Sequence, residues 1–387
     1  MRGALAVLVL GAMAALVGCA DDDAGPSLRR NAPASAKSDT MADDPSDEGS
    51  TPTAAELACA AAPAATALSN AKDAKDVRLV GQAVFFRQGT AVKRVLKDGT
   101  NAKDVYSSPN LVSSFVDPTV MVLVETTADS PNATIRVVPA LTPEVNDEDE
   151  ALPPEPAFPE FPAAEEGAPP GVAIATNFNA AGTRVFASDE TSFYVLADTA
   201  NGEAILQYKK AAPQQPTVLV TTPHVITNPQ IASGAVWYVR DANRVFKVAL
   251  ADEVNEIPQG EPTEVFGIQY ASCNLAVAES AAYCSMGTAL ERRDLTGANP
   301  MTILDAEKSK AQALFGPAVN HKGSIFVRSS APDAKVKHVI RAIQPGEGGA
   351  EERLLACGRE LVTDLAVDST HIVWTEENKG VFIAPLQ

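Results

Sequence analysis

Four cysteines carry the most readily predicted chemistry in this chain of 387 residues. Cys273 and Cys284 stand at the two ends of "CNLAVAESAAYC", which is typical of two strands joined by a tight turn. A hairpin centred on that stretch places the two thiols opposite each other on adjacent strands, at a spacing compatible with a disulfide. Cys59 and Cys357 then form a second pair. The alternative for all four is a buried free thiol.

Other reactive side chains show no arrangement that predicts a catalytic or metal site. The chain contains no CxxC, GxSxG, HExxH, P-loop or GxGxxG motif. Its four histidines, none at HxxxH or HxH spacing, are His224, His321, His338 and His371. The sequence therefore predicts no metal, no cofactor and no catalytic residue, although a catalytic set dispersed along the chain would leave no such spacing.

The fifth cysteine, Cys19, ends an export signal. Arg2 precedes an apolar run from Ala4 to Val17, which is too short to span a bilayer comfortably. The tetrapeptide "LVGC" that closes this run resembles the lipobox of bacterial lipoproteins. The resemblance implies that residues 1–18 are a signal peptide and that Cys19 carries acyl chains such as palmitate. The alternative is an ordinary signal peptide in which Cys19 is incidental.

The same resemblance predicts where the mature protein lies. Acyl chains on Cys19 would anchor it to a membrane, with everything that follows outside the cytoplasm. Residue 20 is Ala, whereas Asp at this position favours retention in the inner membrane in lipoproteins of the enteric type. We therefore expect a lipid-anchored protein of the cell envelope, at the outer membrane.

The net charge of −18 is concentrated in two segments. Residues 20–56 contain 9 acidic and 3 basic side chains, and residues 144–170 contain 9 acidic and none that are basic. Both segments are poor in aromatic residues and rich in small residues and proline, a composition typical of disorder. We predict that residues 19–56 form a disordered tether. Residues 144–170 are predicted to form a disordered, acidic, Pro-rich insertion that either docks a basic partner or keeps the surface soluble.

The rest of the chain is nearly neutral, and this excludes one class of partner. A nucleic-acid-binding surface needs a basic footprint, which is missing from the sequence. We therefore expect no nucleic-acid partner.

From residue 76 onward the chain consists of short β-branched and aromatic runs separated by Gly, Asp, Asn and Pro. Seven of these runs are almost continuously apolar: AVFF, VMVLV, FYVL, VWYV, AAYC, IFV and IVW. A more alternating run follows each of them. The intervals within both series lie between 37 and 48 residues, except for one interval of 72 and one of 70. Both exceptions contain the insertion, and removing its 27 residues reduces them to 45 and 43.

A period of 40 to 47 residues made of strands is typical of a β-propeller, in which each blade is a four-stranded antiparallel sheet. The continuously apolar runs fit strands that neighbouring sheets cover on both faces. The alternating runs, which carry Lys and Arg, fit partly solvated strands further out. The sequence predicts an all-β fold, a β-propeller over residues 57–387, with seven blades; six is the alternative.

The chain ends on "HIVWTEENKGVFIAPLQ", two strand-like runs with no outer strand after them. An open sheet edge leaves backbone N–H and C=O groups unpaired. We therefore expect a strand from residues 64–69 to complete the last blade, so that an N-terminal strand closes the ring.

Two short motifs strengthen the propeller prediction. "VWTE" at Val373–Glu376 and "VLKDGT" at Val95–Thr100 resemble elements of YWTD-type propeller repeats and, more loosely, NHL-type repeats. The resemblance implies the fold and no particular activity. YWTD-type propellers have six blades, whereas the runs give seven repeats. Because the second repeat is the weakest, six remains the alternative.

Two functions fit these predictions. The first is a lipid-anchored binding or scaffolding module for an unidentified envelope protein, peptide or glycan. The second is a propeller enzyme, a lyase or glycan hydrolase, with its site at the mouth of the ring. Converging ionisable side chains at the mouth would favour the enzyme, whereas an apolar or scattered polar lining would favour the binding module. A quinoprotein-like dehydrogenase is disfavoured because the chain has only two Trp.

Overall fold

The structure, a computed structural model, is built from β-strands. It describes residues 59–127, 130–141, 158–163, 169–250, 261–268, 272–287, 289–305, 313–330, 338–346 and 349–386. The predicted signal peptide, Cys19 and the tether lie outside the described residues. No helix among the described residues has the length and apolar character that crossing a membrane requires.

Five four-stranded antiparallel sheets and one seven-stranded sheet make up the described part of the chain. The four-stranded sheet nearest the N-terminus contains β2 (Lys75–Val80), β3 (Ala83–Gln88), β4 (Ala91–Leu96) and β5 (Lys103–Ser107), after the separate strand β1 (Thr66–Ser69). The seven-stranded sheet contains β6 (Leu111–Val116), β7 (Val120–Thr127), β8 (Ser130–Pro139), β9 (Val172–Ser188), β10 (Ser192–Thr199), β11 (Gly202–Lys209) and β12 (Ala212–Thr222).

Four further sheets follow in chain order. The first two contain β13 (Ile226–Ala232), β14 (Ala235–Arg240), β15 (Arg244–Ala249) and β16 (Thr263–Gly267), then β17 (Asn274–Val277), β18 (Ala281–Met286), β19 (Ala289–Asp294) and β20 (Met301–Leu304). The last two contain β21 (Ala313–His321), β22 (Ser324–Ser330), β23 (His338–Gly346) and β24 (Gly349–Arg359), then β25 (Val362–Val367), β26 (His371–Glu376) and β27 (Gly380–Pro385) together with β1.

The seven-stranded sheet divides within β9. Residues from Val172 to Asn179 pair with β8, and residues from Asn179 to Ser188 pair with β10. We call each set of four strands a module and number the modules in chain order. Module 2 is then β6–β8 with the first half of β9, and module 3 is the second half of β9 with β10–β12. The described residues contain seven such modules.

The modules are arranged in a ring. The first strand of each module contacts the first strand of the next, in the order β2, β6, β9, β13, β17, β21, β25, and β25 contacts β2. The predicted all-β propeller is therefore confirmed, with the first strands around the centre. Its core is divided into apolar clusters, most of which join two adjacent modules, such as Phe115 with Val195 between modules 2 and 3.

The second strand of each module is buried, as the continuous apolar runs predict. In β7, for example, the six residues from Val120 to Glu125 are all buried. Sheets on both sides cover these strands, so that an alternating pattern would place polar groups in an apolar layer.

An N-terminal strand closes the ring, as the sequence predicts. β1 pairs antiparallel with β27, and Thr66 lies opposite Ile383. This pairing supplies the fourth strand of module 7 from the other end of the folded chain and satisfies the backbone groups of β27.

A second contact across this seam links modules 7 and 1. The ammonium of Lys97 lies 2.6 Å from the Asp368 carboxylate. Asp368 also accepts hydrogen bonds from the backbone N–H groups of Thr370 and His371 and from the Thr370 hydroxyl. Partial burial opposes ionisation of Asp368, but these hydrogen bonds, led by that from Lys97, outweigh it and lower the pKa to about 2.

The insertion differs from its prediction in one place. Residues 158–163, expected to be disordered, pack against module 1, where Phe161 joins the apolar cluster between modules 1 and 2. The physical reason is the pair Phe158 and Phe161, which supplies the apolar surface that the surrounding composition lacks. The insertion's residues 144–157 and 164–168 lie outside the described residues.

Replacing Gly380 should open the closing strand. Gly380 has φ +141°, and a Cβ there would lie 1.9 Å from the carbonyl oxygen of Ser69 in β1. We expect Gly380→Ala to lower the free energy of unfolding by at least about 2 kcal/mol more than Gly349→Ala, measured by denaturant titration. Gly349 is the matched control because its φ of +146° is nearly the same, while the nearest atom to its Cβ position, the carbonyl oxygen of Ile303, is 4.0 Å away. Equal losses in the two variants would contradict the role of the β1–β27 pairing.

Removing the Asp368 charge should weaken the seam in a pH-dependent way. The folded-state pKa lies below the ordinary value of 3.8, so Asp368 stabilises the fold above that value and loses this effect as pH falls towards 2. Asp368→Asn should therefore cost about 1–2 kcal/mol at pH 7 and flatten the acid limb of a stability–pH curve. Asp104→Asn, which removes an exposed carboxylate that pairs with Lys93 within module 1, is the control. An unchanged acid limb in Asp368→Asn would disprove the assignment.

Candidate functional site

A cavity of about 570 Å³ lies where the first strands of five modules meet. Strands β2, β6, β9, β13 and β25 contribute its lining, which consists of Lys75, Asp76, Arg78, Ser113, Ser114, Arg184, Val185, Phe186, Asn228, Pro229, Thr363 and Asp364. Because these strands are the innermost of the ring, the cavity lies at its central mouth. Ligand sites commonly occupy such concave positions.

Backbone irregularities direct several of these side chains. The pairing of the first strand with the second shifts register between Lys75 and Arg78 in module 1, and between Thr227 and Gln230 in module 4. Asp76 and Asn228, inside the two shifts, have φ of +56° and +49°. Asp and Asn tolerate this left-handed conformation better than other non-Gly residues. A bulge re-aims the side chains beside it.

Asp76 joins module 1 to module 2. Its carboxylate accepts a hydrogen bond of 2.9 Å from the Nε of Arg87 and one of 2.9 Å from the backbone N–H of Ser114 in β6. The side chain is therefore a cavity residue and a tie between first strands at the same time.

Asp364 plays the equivalent part between modules 7 and 1. Its carboxylate accepts hydrogen bonds from the backbone N–H of Val77 in β2, at 2.8 Å, and from its neighbour Leu365, at 2.9 Å. Burial raises the pKa of Asp364; the positive charge of Arg78 opposes this increase and the negative charge of Asp76 adds to it.

Polar side chains also join modules 4 and 5. The Asn228 amide donates to the carbonyl oxygen of Cys273 at 3.1 Å, and the Gln230 side-chain oxygen accepts from the backbone N–H of Val277 at 3.0 Å. Polar groups in the first strands are thus used to tie neighbouring modules together.

Three cations of the lining have no comparable tie to a carboxylate among the hydrogen bonds described. Lys75 and Arg184 are exposed to the cavity solvent. The Arg78 guanidinium lies 4.6 Å from the centre of the Phe115 ring and donates to the backbone carbonyl of Val77, while its buried Nε has no hydrogen-bond partner among the described residues. Because both carboxylates are engaged, the cavity offers positive charge to a ligand.

The residues singled out in the sequence lie elsewhere. The four histidines do not line the cavity, and His224, for example, lies 3.0 Å from Asp241 at the end of β14. Within the described ranges, no three His, Cys, Asp or Glu side chains are grouped as a metal site requires. Cys19 lies outside those ranges.

The four remaining cysteines are placed in two pairs. The sulfur atoms of Cys59 and Cys357 lie at bonding distance, with 5.6 Å between the Cα atoms. Those of Cys273 and Cys284 also lie at bonding distance, with 5.0 Å between the Cα atoms. The first pair joins the N-terminal segment to β24, and the second joins the residue before β17 to β18.

The cavity residues carry no signal that a search for motifs detects. Lys75, Asp76 and Arg78 are spread over one strand, while Arg184 and Asp364 lie far along the chain. Polar residues within several first strands, such as Asp76 in β2 and Asn228 in β13, are the one pattern that the sequence offers. It becomes informative only once the ring brings these positions together.

Comparison with known proteins identifies the fold. No protein-family model matches the chain, and no curated protein is significantly similar to it. Among solved structures, the WD40 domain of Neurospora crassa Pan2 has a TM-score of 0.51 at 9% identity and covers 83% of this chain and 93% of its own. Virginiamycin B lyase from Staphylococcus aureus, solved as an inactive variant with quinupristin, has a TM-score of 0.51 at 12% identity. It covers 84% of this chain and 99% of its own.

A chain of the mitotic checkpoint complex is similar to the same degree. Its TM-score is 0.51 at 10% identity, over 84% of this chain and 95% of its own. Identities this low show the fold alone. WD40 repeats form β-propellers, so the comparisons agree with the ring of modules: the chain is a β-propeller.

Proposed function

We propose that this protein is a lipid-anchored β-propeller of the cell envelope that binds an acidic group of a protein, peptide or glycan at its central cavity. In this proposal each module is one blade and the ring has seven blades. The observation that carries it is the charge arrangement of the cavity. Lys75, Arg78 and Arg184 face it, while Asp76 and Asp364 are engaged by backbone N–H groups.

An acidic ligand group fits this lining for electrostatic reasons. Two exposed cations at a concave mouth focus a positive potential in a chain whose net charge is −18. A guanidinium binds carboxylate and phosphate through paired N–H donors, so that Arg184 adds geometric selectivity to charge.

The anchoring part of the proposal rests on the sequence around Cys19. A short apolar run followed by "LVGC" favours lipidation, and Ala20 favours the outer membrane. The two cysteine pairs at bonding distance support export, because structural disulfides persist in oxidising compartments.

Rigidity supports a binding or scaffolding role. Ties between first strands hold the cavity residues in place, and a preorganised site loses little entropy when a ligand binds. The mitotic checkpoint complex is an assembly, so a fold of this kind occurs in one. An identity of 10% carries no particular partner over to this chain.

The second candidate is a propeller enzyme, a lyase or glycan hydrolase. Ionisable side chains do converge on the cavity, and Asp364 has a raised pKa beside the charge of Asp76, which is the pattern of an acid–base pair. The binding module is favoured because the carboxylates already accept the hydrogen bonds that hold the ring together.

Anchoring predicts fatty-acid labelling of a single residue. Cells expressing the full chain and fed an alkyne-tagged palmitate should label the wild type and leave Cys19→Ala unlabelled, with the variant released from the membrane fraction. Cys59→Ala, which leaves Cys19 intact, should be labelled as the wild type is. Labelling of Cys19→Ala, or retention of the unlabelled protein in membranes, would contradict lipidation at this residue.

Cavity binding predicts loss of partner capture when the charge is reversed. Cross-linking of intact cells should recover a specific envelope component with the wild type and with Lys379→Glu, an exposed control outside the cavity. The double variant Lys75→Glu with Arg184→Glu should reduce recovery by at least about 10-fold, because each reversal turns attraction into repulsion.

Two results would count against cavity binding. Undiminished recovery with the double variant would remove the cavity from the binding role. Release of reducing ends or unsaturated products from envelope glycans by the wild type, abolished by Asp364→Asn, would establish the enzyme instead.

A further inference from the structure

The segment Phe158–Phe161 of the insertion lies on the face of module 1, away from the central cavity. Its sequence is Phe-Pro-Glu-Phe, and we call it the FPEF segment. It belongs to no strand, although the strands before and after it, β8 and β9, pair with each other. The segment is therefore an extra piece of chain laid on a sheet that is complete without it.

The FPEF segment packs on a row of three side chains that crosses module 1. Phe85 on β3 pairs with Arg94 on β4, and Arg94 pairs with Lys103 on β5. Directly opposed residues in antiparallel strands project from the same face. The row runs from an inner aromatic residue to two outer cations, and we call it, with Leu141, the docking groove.

Glu160 is held by the two cations of the row. Its carboxylate lies 2.6 Å from an Arg94 nitrogen and 3.0 Å from the Lys103 ammonium. Partial burial opposes ionisation of Glu160, but the hydrogen bonds and charges of Arg94 and Lys103 outweigh it and hold the pKa below its usual value.

The two aromatic residues lie on either side of that ion pair. Phe158 covers the guanidinium of Arg94, with 4.0 Å between the guanidinium carbon and the ring centre. Phe161 meets Phe85 edge to face, with ring centres 6.3 Å apart. Cation–π and edge-to-face contacts of this kind depend on geometry and so select an aromatic side chain at each position.

Module 2 also contacts the FPEF segment, through its main chain. The backbone N–H of Leu141, just after β8, donates a 2.8 Å hydrogen bond to the carbonyl oxygen of Glu160. The groove therefore recognises main chain as well as side chains, which is how extended peptides are bound.

Any ligand that covers Arg94 in this groove has to supply an acidic group. Beneath the FPEF segment the Arg94 side chain is only 1% exposed, and its Nε has no hydrogen-bond partner among the described residues. Leaving a buried guanidinium without a counter-charge is strongly unfavourable. Glu160 itself is 41% exposed and Phe158 is half-buried. The FPEF segment therefore lies at the surface and covers Arg94.

We propose that the docking groove is a binding site for an extended aromatic–proline–glutamate–aromatic peptide of a partner protein, and that the FPEF segment occupies it in cis. The segment acts as a tethered competitor, and the partner peptide gains access when the segment leaves. This site is separate from the central cavity, and neither proposal depends on the other.

The experiment uses the full mature chain and a fluorescent peptide with the sequence of residues 156–163. Glu160→Lys replaces the ion pair of the FPEF segment by repulsion from Arg94 and Lys103 and vacates the groove. We expect the peptide to bind this variant at least about 10-fold more tightly than the wild type in an anisotropy titration, because a site closed in cis has a reduced apparent affinity. Glu190→Lys, the same charge change on an exposed turn of module 3, should bind as the wild type does.

Two further measurements decide the proposal. A peptide with Lys in place of its Glu should not bind Glu160→Lys, because the groove itself is cationic. Glu160→Gln, a milder change, gives a second open form if Glu160→Lys does not fold, as judged by circular dichroism. A folded open form that binds the peptide no better than the wild type, or that binds both peptides equally, would overturn the proposal and leave the FPEF segment as a structural strap.

Discussion

The central cavity of this protein depends on closing a ring of sheets. A sheet at the end of an open row exposes its edge, and module 7 has only three strands from its own part of the chain. β1 supplies the fourth, and Lys97 with Asp368 joins the same two modules by charge. The central cavity exists only after this closure, since Asp364 and Val77, which touch each other there, are 287 residues apart in the sequence.

Closure also explains why polar side chains occur on the innermost strands. These strands converge, so a short side chain such as that of Asp76 or Asn228 can reach the backbone of the next module. Such ties satisfy backbone groups that two separate sheets would leave open at their meeting edge. They also engage the carboxylates, and the cavity consequently shows its cations, Lys75 and Arg184, to solvent.

The sequence predicts the fold well because the fold is periodic. Continuous apolar runs such as that around Val122 report strands covered on both faces, and the missing outer strand after "GVFIA" predicts the role of β1. The sites are less predictable. Asp364 lies in a short strand with no motif around it. Arg94 lies in an alternating run, which predicts a solvated side chain, although the FPEF segment covers it. Both depend on contacts between residues remote in sequence, which no local pattern records.

One strand, β9, makes local opening of the ring uneven, because two modules share it. β9 runs for 17 residues without a break, and Asn179 pairs with β8 on one side and β10 on the other. The modules on either side of Asn179 thus share one strand, whereas no other pair of neighbouring modules shares a strand among the described residues. Local opening in native proteins follows cooperative units. Amide exchange should therefore treat β6 to β12 as one such unit, nearly twice the size of any other.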